Sequence, residues 1–173
     1  MDKNLVTMNA MLTEQVERIA AESAIRNLIA KIFILTDTAP DLSEYRECFT
    51  DDALWERIGI GAAERIGAHL GAKATGRDGI VADRLAVRAA GATGPTADTW
   101  HMATNICVSV DSQDHATART SWLFVLRDGD GYKIRSAGFY RDDFRRVDGD
   151  WKLAHRRYSM GKPPTEFAPP AKS

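Results

Sequence analysis

The last third of the chain most limits what it can fold into. Four segments with strand patterning, about 99–110, 116–128, 132–147 and 150–159, follow one another with only "DSQDH", "DGDG" and "VDGD" between them. Turns that short, and that rich in Asp and Gly, join antiparallel neighbours, because a parallel connection needs a crossover of a dozen residues or more. A sheet built this way must cover one face, and the helical segments available to cover it all come earlier in the sequence. The spacing predicts a helix from about Thr13 to Asp37, with Ile25, Leu28, Ile29, Ile32 and Phe33 recurring at three- and four-residue steps. Glu17, Arg18, Glu22, Arg26 and Asn27 supply its polar side. Beyond the break at Pro40, Asp41 reads as an N-cap with Glu44 in the capping-box position, opening a short helix to about Cys48. "FTDDALWERI" then enters a strand carrying Trp55, and "GRDGIVADRLAVRAA" reads as a third helix with Ile80, Val81, Leu85 and Val87 for packing. Between them, the Gly/Ala-rich stretch 56–75 contains "ERIG" twice and reads as a hairpin or an extended flap. Helices first and a meander of long strands second give an α+β domain, and a long helix laid across a strongly bent sheet encloses a cavity.

At 173 residues the chain is one domain, long enough to bury a real core. Its formal net charge of −1 offers no electrostatic case for nucleic acid or an anionic membrane, so neither is expected as a partner. The arginines at 141, 145, 146, 156 and 157 alternate with acids and apolar residues, as a solvated strand face does. Two cysteines, Cys48 and Cys107, form no CxxC or disulfide framework, which favours a reducing cytoplasm. The polar start "MDKNLVTMNAMLTEQ" has no signal-peptide run, and no window approaches the ~18 to 20 apolar residues of a membrane helix. A soluble cytoplasmic protein is the expectation.

The strand "TWHMATNICVSV" raises the chemical question. His101, Asn105 and Cys107 share one parity, while Met102, Thr104, Ile106, Val108 and Val110 share the other, so one face is polar. Histidine is the side chain best suited to moving a proton near neutral pH, and a nearby carboxylate would fix its tautomer. Asp37 continues the stripe Ile25, Ile29, Phe33 at four-residue spacing, although a carboxylate at a helix C-terminus opposes the macrodipole. From position alone, a surface acid and a strand histidine that is half exposed or bonded to backbone are the favoured readings. Arg156, with Lys152, Ala154 and Tyr158 on its face, is either an anion-stabilising arginine or a salt-bridged surface one. Tyr140 shares a face with Gly138, Asp142 and Phe144 and either donates to a ligand or packs; Trp55, Trp122 and Phe33 are core or pocket wall. The four histidines show no metal-ligand spacing, and no phosphate-cradling glycine motif or nucleophile elbow occurs. Acid–base chemistry without cofactor or metal, or plain binding, is what remains.

The order of pieces, a long helix ending in Asp37, then "FTDDALW", His101-x-x-x-Asn105, "GFYRDDF" and "DGDWKLAHRR", resembles the SnoaL-like proteins of the NTF2-like superfamily over residues 13–160. The resemblance implies a cone, a curved antiparallel sheet wrapped by three helices around a deep pocket, and homo-oligomers (dimer or trimer) assembled through the sheet. Residues 1–12 and 161–173 would be tails. Relatives include scytalone dehydratase, a bile-acid dehydratase, the hexachlorocyclohexane dehydrochlorinase, polyketide cyclases and the small subunit of ring-hydroxylating dioxygenases. Among the lyases a helix-terminal aspartate and a strand histidine form a proton-abstracting dyad, positions matched by Asp37 and His101. The dehydrochlorinase's arginine falls on Arg156, and a pocket tryptophan falls on Trp55. Two helpers do not carry over. Ile32 stands where the bile-acid dehydratase has a tyrosine and the dehydrochlorinase a lysine, and Phe124 stands on or near a second acid of the bile-acid enzyme. The implied function is a cofactor-independent lyase or isomerase acting on a small, largely apolar molecule. His101, Asp37 and Arg156 would be catalytic, and Tyr140, Asn105, Trp55, Phe33 and Trp122 would contact the substrate. Asn105 would face the pocket with His101, while Met102, Ile106 and Val108 would pack away from it. The alternative is a non-catalytic binding or accessory subunit like the dioxygenase small subunit, which predicts a stable, larger iron-containing partner and a cavity too small or too filled to admit a substrate.

Overall fold

The computed structural model describes residues 3–58 and 71–161. In chain order the elements are α1 (Lys3–Thr38), α2 (Ser43–Glu47), β1 (Phe49–Ile58), β2 (Lys73–Thr75) and α3 (Gly76–Ala89), followed by β3 (Thr99–Val110), β4 (His115–Asp128), β5 (Gly131–Val147) and β6 (Asp150–Met160). The strands form one curved sheet in the order β2-β1-β6-β5-β4-β3. The meander β3 to β6 is antiparallel throughout, as its short turns require. The expected all-antiparallel sheet is nevertheless mixed, because β1 pairs parallel with β6 while pairing antiparallel with β2. A parallel neighbour is open to β1 because the chain between it and β6 is far longer than any crossover needs.

Each meander pair shifts register once: between Thr104 and Cys107, between Phe124 and Val125, and between Asp143 and Phe144. Such one-residue bulges bend a strand and increase its twist, so the sheet curls. α1 packs on β3 and β6, and α3 on β1 and β2. The core between them gathers Ile25, Ile29, Ile32 and Phe33 of α1, Ile80 of α3 and the sheet residues Trp55, Trp122, Tyr140, Phe144 and Leu153.

Three sequence expectations change. α1 begins at Lys3 rather than Thr13, so residues 3–12 extend the helix instead of forming a tail; "KNLVTMNAML" contains no Gly or Pro to stop it. Up to Ile19 this helix leaves the apolar side chains of Leu5, Met8, Leu12 and Val16 exposed, and its buried face begins at Ile25. Asp41 is not the N-cap of α2, whose cap position is Leu42; its carboxylate instead accepts from the Ser43 N–H at 2.8 Å and from the Ser43 hydroxyl. Glu44 therefore closes no capping box and pairs with Lys31 at 2.7 Å. On α3, Leu85 lies exposed, and the buried face is Ile80, Arg84 and Val87, the i, i+4, i+7 set. Of the stretch 56–75, β1 and β2 form an antiparallel pair, while 59–70, with most of the expected hairpin or flap, lies outside the described residues. No described helix is long and apolar enough to cross a membrane.

Candidate active site

α1 ends where β3 begins, and the meeting point is Asp37 against His101. One carboxylate oxygen of Asp37 accepts the His101 backbone N–H at 2.6 Å, and the other lies 2.8 Å from His101 Nδ1. Asp37 is therefore the pocket-side acid that continues the Ile25–Ile29–Phe33 stripe, not a surface acid. A carboxylate accepts only, so Nδ1 carries the imidazole proton and Nε2 keeps a free lone pair. The macrodipole objection is met by a neighbour. Arg88 of α3 donates to the carbonyls of Leu35, Thr36 and Ala39, each at 2.9 Å, placing a cation on the C-terminal end of α1. Burial lowers the proton affinity of His101 below its ordinary value, against the raising pull of Asp37, and the Arg84 and Arg156 charges lower it further. The imidazole is thus neutral near pH 7, the form a base requires.

His101 lines a cavity of about 250 Å³ between the sheet, α3 and the loop 90–98, small beside typical ligand pockets. Its aromatic wall is Trp55, Trp122, Phe124, Tyr140 and Tyr158. Phe124, the β4 partner of His101, holds the imidazole with ring centroids 4.7 Å apart. Trp122 lies against β5 because its partner there is Gly138: a Cβ at that position would fall 2.6 Å from the indole and 2.0 Å from the Ser159 carbonyl oxygen. Tyr140 also lines the cavity, and burial pushes its phenol up to about 12, so it stays a protonated donor.

Other expected site residues are placed differently. Phe33 does not line the cavity but backs it, edge-on to His101 at 6.0 Å and Tyr140 at 5.7 Å. Asn105 is a correction: it sits exposed at the β3 bulge with φ +50°, outside the cavity wall. Because the bulge reverses parity, Ile106, Val108 and Val110 turn inward to the core, and Cys107 turns out. The carbonyl of Ile106, just past the bulge, is taken by Arg26 of α1 at 2.5 Å.

Arg156 is corrected too. A bulge in β6 between Leu153 and His155 sends Leu153 and Arg156 to the same buried side. The Arg156 guanidinium is held by the buried Asp142 at 2.8 and 2.6 Å and lies 4.1 Å from the Tyr140 ring centroid and 5.1 Å from that of Trp55. It stands behind the aromatic wall, not in it, with its charge already matched. Ile32 is core, as its chemistry dictates. The sequence reading passed over Arg84, which lines the cavity from the buried face of α3; its i+4 spacing from Ile80 was the available signal. Among the described residues no group of three or more His, Cys, Asp or Glu side chains is arranged to hold a metal ion.

No curated protein matches the chain. Among solved structures, an NTF2-like protein with a cystatin-like fold from Novosphingobium aromaticivorans is similar at 23% identity, with 92% of this chain and 90% of that one covered and a TM-score of 0.65. The hexachlorocyclohexane dehydrochlorinase LinA-type3 of Novosphingobium barchaimii is similar at 20% identity, 86% and 91% coverage and a TM-score of 0.64. At such identities the likeness shows the fold alone, the NTF2-like cone of helices on a curved sheet. The SnoaL-like domain matches residues 17–157, most of the described fold and both members of the Asp37–His101 pair. This chain belongs to the SnoaL-like family.

Proposed function

We propose that the protein is a cofactor-independent lyase or isomerase for a small, largely apolar molecule, with His101 as base and Asp37 as its orienting partner. The single observation that carries this reading is the buried 2.8 Å Asp37–His101 pair, whose histidine lines an aromatic cavity; an Nδ1–H donating to the carboxylate leaves Nε2 as the base. In an elimination, Nε2 takes a proton from carbon, the C–H electron pair becomes the new double bond, and the leaving group departs from the adjacent carbon with its own pair. A departing hydroxide takes a proton from the imidazolium or from the Tyr140 phenol and leaves as water. If the departing group is absent, reprotonation at another carbon gives isomerisation. Asp37 stabilises the transient imidazolium, and Tyr140 takes the anion-stabilising part first expected of Arg156, since Tyr140 lines the cavity and Arg156 does not. The accessory-subunit alternative expects a stable larger partner and a cavity too small or too filled to admit a substrate, and co-purification with such a partner would favour it over this reading. A homo-oligomer, dimer or trimer, belongs to the same reading, supported by the apolar side chains that α1 leaves exposed.

The test is turnover of cyclic β-hydroxy and β-halo carbonyl compounds, followed by the absorbance of the conjugated product. His101→Ala and Asp37→Asn are expected to lose ~10² to 10⁴-fold while keeping the far-UV spectrum of the folded chain. Full turnover in both variants would retire the dyad.

A further inference from the structure

The cavity wall is electrostatically one-sided. Among the described residues its lining includes His101, Arg57, Arg84 and Arg135 and no aspartate or glutamate. The three guanidiniums differ in what already compensates them. Arg57 is engaged by Asp83 at 2.6 Å and by the Gly71 carbonyl at 2.8 Å. Arg135 is exposed on β5. Arg84 is buried, at 9% exposure, and its Nε is shut off from solvent with no hydrogen-bond partner among the described residues. No carboxylate among the described residues forms an ion pair with it; Asp83, next in sequence, turns to Arg57 instead. What faces Arg84 is the Trp55 ring, 5.5 Å from its Cζ, and the phenols of Tyr45 and Tyr140, with the Asp83 carboxylate acting on it only from a distance.

A guanidinium cannot shed its proton, and a cation taken out of water needs a counter-charge that a π face supplies only in part. Its planar fork matches a carboxylate. We infer that Arg84 anchors the acid group of a carboxylate-bearing ligand whose flat apolar body lies among Trp55, Trp122, Phe124 and Tyr140. This rests on the cavity being the substrate site, and it narrows the substrate from a largely apolar molecule to one that is apolar with a single negative charge. Such an anion also partly cancels one of the charges that keep His101 deprotonated, so docking raises the affinity of the base for a proton.

Calorimetric titration of the full chain with 2-naphthoate and with its neutral analogue 2-naphthamide tests the assignment. The naphthoate is expected to bind at least about ten-fold more tightly. Arg84→Met removes that preference, Arg84→Lys keeps part of it, and Arg135→Met leaves it intact. Asp37→Asn, outside the cavity lining, keeps the preference while losing ~10² to 10⁴-fold in turnover, so loss of the anchor and loss of the dyad are separate results. Equal affinity for the two probes, binding of neither, or a preference that follows Arg135 and survives in Arg84→Met overturns the inference. If Arg84→Met does not fold, the wild-type pair of titrations and the Arg84→Lys variant decide.

Discussion

His101 carries two opposed influences, and their balance sets a pH dependence. Burial, the larger, drives its proton affinity below the ordinary 6.5, and the Asp37 carboxylate pulls it back up. The rate constant kcat/KM is therefore expected to climb from acid pH to a plateau with its midpoint below about 6.5, and Asp37→Asn moves that midpoint lower and reduces the plateau. Stability follows the same sign. As pH falls through about 6.5 the unfolded chain binds a proton at this residue before the folded one does, so this contribution to stability, full above that pH, is lost toward the lower folded value. A pH–rate profile and urea midpoints across that range check both. Arg156 makes the contrasting case, since its bidentate pair with Asp142 is wholly buried. Arg156→Met strands a carboxylate in the core and is expected to cost about 3–5 kcal/mol in urea unfolding. A rate loss at unchanged stability would instead restore it to the reaction. The stripe ending in Asp37 and the patterned strand opened by His101 were legible in the sequence, but their meeting was expected only from the family resemblance, because contacts between distant segments leave no local pattern. Arg156 was expected in the site from the resemblance alone, and nothing in the local sequence showed that Asp142, on the neighbouring strand, pairs with it.

Strict strand alternation fails at the level of the element. The meander, its three turns and the third helix all sit within a residue or two of their sequence readings, since turn chemistry and periodicity are local. The bulges are not local, because they are choices of pairing between strands. Asn105 held the one hint, for asparagine tolerates the left-handed backbone that this bulge adopts. Arg84 escaped notice for the related reason that a charged residue on a helix is read as solvated until the packing shows which face is buried. Gly138 gives the element-scale prediction. Gly138→Ala forces its Cβ against Trp122 and the Ser159 carbonyl and is expected to cost about 1–3 kcal/mol, with a shift in tryptophan emission as the indole is displaced. An unchanged emission maximum and midpoint would mean that the β5–β6 pair yields instead.

For the molecule as a whole, the curled sheet, α3 and the loop 90–98 enclose the hollow that His101 lines, and the half of α1 before Ile25 lies largely outside the core. Light scattering at micromolar concentration is expected to give the mass of a dimer or trimer, and a 19.1 kDa monomer would remove the proposed assembly. Arg84 and Arg88 stand one helical turn apart on α3, the first turned to the ligand space and the second gripping the last carbonyls of α1. A guest that tugs on the first of these therefore pulls on the same rod that braces the proton-accepting machinery. On the proposed anchoring, a substitution that reshapes α3 to suit a guest of different charge also moves the cation that caps the helix carrying Asp37.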